Sequence, residues 1–128
     1  MKKRLIMAGI SVIFMLISVN VFADYNKEAV VKVMRENGAL MGELKQAAQN
    51  GDYFAAAEAL MGIAKGMKSL DAIAPLKGSK AEWDRIHGEL INAAFKGIGA
   101  CGERNGEKLN KYINEVGALI GKGHGMFR

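Results

Sequence analysis

The chain has 128 residues, of which 50% are hydrophobic, 24% charged and 7% aromatic, with one Pro, one Cys and a net charge of +5. A single Cys excludes an internal disulfide, a multi-Cys zinc site and an iron–sulfur cluster. One Pro and the scarcity of β-branched runs argue against a small β-sandwich or barrel, and the length allows one domain with a modest core.

The first 23 residues read as a signal peptide. Lys2, Lys3 and Arg4 form a positive head, Leu5 to Phe22 carries no charge, and Val21-Phe22-Ala23 offers the small residues of a cleavage site before Asp24. The competing reading is an uncleaved anchor, since 18 uncharged residues barely span a bilayer. No Cys follows the apolar run, which disfavours a lipid anchor. Cleavage leaves 105 residues, 24–128, with 15 basic against 13 acidic side chains and a net charge of +2. That balance does not call for nucleic acid. The expected location is periplasmic, with a mature form outside the membrane.

Four amphipathic segments follow, and together they predict an all-α, up-down-up-down four-helix bundle. Segment A, Lys27 to Gln49, ends at Asn50-Gly51-Asp52, where Asp52 is a natural N-cap for segment B, Tyr53 to Leu70. A link from Asp71 to Ser79 contains Pro75 and Gly78. Segment C, Lys80 to Cys101, opens with Ser79-Lys80-Ala81-Glu82, the spacing of a capping box. Gly102 to Gly106 turns the chain into segment D, about Glu107 to Phe127. At 100° per residue, Val30, Met34, Met41, Leu44 and Ala48 share a face in A. Trp83, Leu90, Ala94, Ile98 and Cys101 do so in C, and Leu109, Ile113, Val116, Ile120 and Phe127 in D.

Three side chains stand out as chemistry. His124 lies at the edge of the apolar arc of D, in a stretch where Gly121, Gly123 and Gly125 alternate. Each interior Gly costs roughly 1 kcal/mol against Ala, a cost with a purpose if something flat must approach that helix end. In an antiparallel bundle Met34 lies roughly 10 Å in from the start of A and His124 roughly 5 Å in from the end of D, so the two depths suit one metal between them. Met41, about 10 Å further along, suits it less. His87 falls inside the apolar arc of C at a depth like that of Met34. The plainer readings are that the Met stripe is core filler, His87 a hydrogen-bonded core residue and Cys101 a small buried apolar side chain or an intermolecular disulfide partner. Asn37 on the inward face of A requires a partner. Gly38, Ala39 and Gly42 in A, with Gly62 and Gly66 in B, leave volume for helix closure or for a ligand. No nucleophile–base pair, facing carboxylate dyad or phosphate loop points to an enzyme. A metal site of His124, His87 and Glu89 is weakened by Glu89 falling on the polar arc.

An exported four-helix chain ending His124-Gly125-Met126-Phe127-Arg128 resembles the cytochrome b-562 / cytochrome c′ superfamily over nearly its whole mature length. Arg35, Trp83 and Val116-Gly117 resemble the c′ branch. The resemblance implies that His124 is an axial ligand to haem iron. The Cys-x-x-Cys-His attachment motif of that branch is not kept: Ile120 and Gly123 stand at its Cys positions, so no thioether bonds can form. The b-type branch implies non-covalent haem b with Met34 as sixth ligand, although Met34 lies a few residues deeper than the Met of that family; His87 is the alternative sixth ligand. The resemblance further implies electron transfer with a redox partner protein, or uptake of a small gas if Met34 does not bind. Arg35 and Arg128 are candidates for the haem propionates, and a homodimer is one assembly the helix faces allow. The competing expectation is a haem-free relative, an interaction or small-ligand module in which Ile120 and nearby Met side chains fill the former pocket.

Overall fold

In the computed structural model, residues 24–127 are described; the signal-peptide expectation and Arg128 lie outside them. The described residues form four helices: α1, Lys27–Gln49; α2, Tyr53–Lys68; α3, Lys80–Gly102; and α4, Gly106–Phe127. Their bounds follow from side chains that satisfy the free N–H groups of each first turn. Asn26 accepts from Ala29 N at 3.2 Å, Asp52 from Ala55 N at 3.0 Å, Ser79 from Glu82 N at 3.1 Å and Asn105 from Lys108 N at 3.0 Å. Half of the expected capping box is therefore present. The Glu82 carboxylate meets Arg85 at 3.1 Å.

Two helices stop in the same way. After α1, Gly51 N bonds Ala48 O and Asp52 N bonds Ala47 O; after α3, Arg104 N bonds Cys101 O and Asn105 N bonds Ala100 O. Both are Schellman endings, which place one residue in the left-handed region. In the first that residue is Gly51, at φ 67°; in the second it is Arg104, at φ 52°.

The helices form an up-down-up-down bundle. Pairs α1–α2, α2–α3 and α3–α4 pack closely along their lengths, whereas α1 and α4 touch only sparsely. Leu44, Leu60, Ile63, Leu90, Leu109 and Val116 are wholly buried between the layers. Small residues set the close approaches. A Cβ on Gly97 of α3 would lie 2.8 Å from Leu60 of α2, and one on Gly66 of α2 would lie 3.3 Å from Val33 of α1. Gly38 and Gly42, in contrast, face open space. The small residues of α2 therefore serve helix closure, and those of α1 do not.

The α2–α3 link covers one end of the bundle. Trp83 Nε1 donates to the Leu70 carbonyl at 3.2 Å. Gly78 (φ 84°) abuts the Phe127 ring, where a Cβ would stand 3.2 Å from Cδ1. No helix among the described residues is long and apolar enough to cross a membrane.

The buried stripe of α1 differs from the expected one. Its fully buried members are Val33, Asn37, Leu44 and Ala47, while Val30, Met34, Met41 and Ala48 are only half-buried. The wheel placed the centre of the face one residue away because α1 packs mainly on α2. The other flank of the stripe faces the loose seam with α4: a Cβ on Gly117 would lie 3.7 Å from Met41 Cε.

Candidate functional site

Met34 sits two turns into α1 and His124 one turn from the end of α4. Antiparallel packing brings them to the same level, where His124 Nε2 lies 3.3 Å from Met34 Sδ. With Nε2 protonated this is a weak N–H···S hydrogen bond; with the other tautomer, the nitrogen lone pair faces the sulfur.

The pair flanks a cavity of about 350 Å³ at the end of the seam where α1 and α4 barely touch. Its size is at the lower end of ligand pockets, which run from about 300 to 1,000 Å³. Every helix contributes to the wall: Val30, Met34 and Arg35 from α1, Met67 from α2, Trp83, Ile86 and His87 from α3, and Ile120, His124 and Phe127 from α4. The four residues singled out by sequence within the described range, Met34, Arg35, His87 and His124, thus line one space. No carboxylate lines it among the described residues. Gly121 and Gly125 face open space, and a Cβ on Gly123 would meet Ile86 only at 3.7 Å, so packing does not demand these glycines.

His87 forms the polar floor. Its side chain is 3% exposed, and Nδ1 is buried with no hydrogen-bond partner. Its ring lies 4.2 Å from Trp83, which in turn meets Phe127 edge-on at 5.1 Å. Burial pushes its pKa down to about 4; the Asp71 and Asp84 carboxylates oppose the shift and Lys80 adds to it. The imidazole is therefore neutral at pH 7, able to accept at one nitrogen and donate at the other.

Met67 was not anticipated. It is buried, lines the cavity, and its Sδ accepts from Asn37 Nδ2 at 3.1 Å. This supplies one partner for Asn37, whose Oδ1 remains unpaired. The signal for Met67 was its spacing from Leu60 and Ile63, which puts it on the buried stripe of α2.

The trio of His124, His87 and Glu89 does not assemble. Glu89 is exposed and bonds Arg85 at 2.9 Å, and among the described residues no group of three or more His, Cys, Asp or Glu converges. Cys101 is buried in the core, and burial raises its thiol pKa, so it is held as an unreactive thiol.

The donors suit haem in kind: one imidazole and one thioether, from opposite helices, in an apolar slot with a cation at its edge. Two ligands on opposite sides of an iron need about 4.3 Å between them, taking bonds of about 2.0 Å to nitrogen and 2.3 Å to sulfur. The observed 3.3 Å contact is shorter than that, and a porphyrin ring must enter as well, so holding haem would require Met34, a flexible half-buried side chain, to move and the sparsest helix pair to part. Comparison with known protein families, curated proteins and solved structures returns no match, so the site is read from its own geometry.

Proposed function

We propose that this protein holds haem b non-covalently in the α1–α4 seam and acts as an exported one-electron carrier. The observation that carries the reading is the pairing of His124 Nε2 with Met34 Sδ at the mouth of an apolar cavity.

Each wall residue has a part. His124 would bind iron through Nε2, which requires its proton on Nδ1. Met34 would supply the soft donor from the facing helix. Arg35, exposed at the cavity edge, is placed to pair with the propionate carboxylates. Val30, Ile86, Ile120 and Phe127, which line the cavity, would keep water from the bound ring. With Ile120 and Gly123 where thioether cysteines would stand, retention would rest on these contacts and on His124 and Met34. Haem ligated by imidazole and thioether supplies a one-electron couple whose potential the sulfur raises.

Titrating hemin into the purified mature chain tests this. The expected result is a saturable Soret band at one haem per chain, lost in His124→Ala and altered in Met34→Leu. No Soret shift, or one indifferent to His124→Ala, refutes it. A second reading, a haem-free bundle binding a small apolar molecule, is supported by the modest cavity and by the direct His124–Met34 contact. A flat hemin titration, with displacement of a fluorescent apolar probe from the cavity by small aromatic compounds, would favour it.

A further inference from the structure

The 3.3 Å separation of His124 Nε2 and Met34 Sδ is short for donors on opposite sides of one metal, but it suits donors side by side on one. With bonds of about 2.0 and 2.3 Å, two atoms 3.3 Å apart subtend about 100° at the ion, near the angle between neighbouring ligands in a tetrahedral shell. The other soft or nitrogen donors lining the cavity are the Met67 thioether, whose Sδ also accepts from Asn37 Nδ2 at 3.1 Å, and the His87 imidazole; the Tyr25 phenol adds a harder oxygen at the wall. His87, only 3% exposed, lines the same cavity and keeps Nδ1 buried without a hydrogen-bond partner.

The donor chemistry selects the ion. Thioether and imidazole bind metals as neutral ligands, and no carboxylate lines the cavity among the described residues. Hard Mg²⁺ and Ca²⁺ demand oxygen ligands. Solvation cost rises with the square of charge, so a monovalent ion loses about a quarter of what a divalent one loses on entering an apolar site. Thioethers with imidazole favour cuprous copper.

We propose that in the haem-free protein this cavity is a Cu(I) site, with His124 Nε2 and Met34 Sδ as adjacent ligands and Met67 and His87 as the further donors. Binding replaces the His124–Met34 contact, uses the Nε2 lone pair with the ring proton on Nδ1, and involves no redox step. The proposal goes beyond the haem reading and does not depend on it.

The test is anaerobic competition between the haem-free mature protein and bicinchoninate for Cu(I), read from the absorbance of the copper–chelator complex. The expected result is withdrawal of one Cu(I) per chain. Met34→Leu, which nearly conserves volume, should weaken binding at least tenfold, and so should His124→Ala. Met67→Leu should weaken it too, whereas Met41→Leu, off the cavity wall, should leave it unchanged. Circular dichroism on each variant confirms the helical fold, and Met34→Leu carries the test if His124→Ala unfolds. Failure to withdraw copper, equal binding by Met34→Leu, or displacement of Cu(I) by an equal concentration of Zn²⁺ overturns the proposal. The Soret titration reads haem separately, so either assignment can fail alone.

Discussion

Acidification should destabilise this bundle through His87. The ring is buried against Trp83 and Phe127, and its pKa is pushed from 6.5 to about 4, chiefly by burial. In the unfolded chain the imidazole regains its ordinary proton affinity. Between about pH 6.5 and 4 the unfolded state therefore binds a proton that the folded state refuses, and stability falls as pH falls. The contribution is complete above about pH 6.5. By pH 4.5 the linkage relation gives a loss of about 2 to 3 kcal/mol, a sizeable share of the roughly 5 to 15 kcal/mol typical of a small domain. Urea unfolding of the haem-free protein at pH 7.5 and 4.5, followed by fluorescence of the single tryptophan, Trp83, measures it. His87→Leu removes the titrating ring while keeping an apolar side chain in its place. The surface ion pairs are common to both proteins, so the difference between their pH dependences isolates His87. Equal losses in wild type and His87→Leu would refute the reasoning.

Other substitutions test the packing. Arg104→Gly should raise stability by about 1 kcal/mol, because a left-handed residue at a Schellman ending carries a penalty that glycine avoids; thermal unfolding reads this as an increase in Tm of several degrees. Gly97→Ala should destabilise by about 1 to 3 kcal/mol, since its Cβ would press to 2.8 Å on a wholly buried Leu60. Gly38→Ala, facing open space, should instead gain up to about 1 kcal/mol, and a shared sign in urea melts of the two variants would contradict the packing account. Asn37→Leu removes a buried amide whose Oδ1 is unpaired, so its unfolding free energy should be unchanged or higher; a large loss would mean that the bond to Met67 Sδ is worth more than the unpaired oxygen costs.

Helix positions were legible because local signals agreed. Asn50-Gly51-Asp52 stops one helix and caps the next within three residues, and Ser79 starts α3 at the position its hydroxyl allows. The depth match of Met34 with His124 followed from rise per residue and antiparallel order alone. Less legible was which flank of α1 meets which neighbour. A wheel locates the apolar face, but whether Val33 or Met34 lies at its centre depends on how closely α2 approaches, and that depends on Gly66 in another helix. Asn37 was legible as an inward residue in need of a partner, but Met67 as that partner was hidden for the same reason. Their pairing joins residues 30 apart in sequence, and sulfur as an acceptor leaves no local signature. His87 sits where the arc put it, but its unpartnered nitrogen is a property of three packed elements and not of α3 alone.

The uneven closure of the bundle explains why the candidate chemistry gathers where it does. Three helix pairs are drawn together by buried aliphatic layers and glycine-sized gaps. The fourth seam presents Met34 and Met41 from one side and Ile120 and His124 from the other, all half-buried. Parting these two helices sacrifices fewer contacts than parting any other pair, so ligand entry costs least there and leaves the core around Leu44, Leu60 and Leu109 undisturbed. Methionine suits such a seam because its three side-chain torsions let sulfur follow a ligand. The aromatic group of Trp83, His87 and Phe127, held by the Leu70 carbonyl and the Gly78 turn, gives the opposite wall the rigidity that the seam lacks. A site with one fixed wall and one yielding wall can bind in the space between α1 and α4 without unfolding either helix.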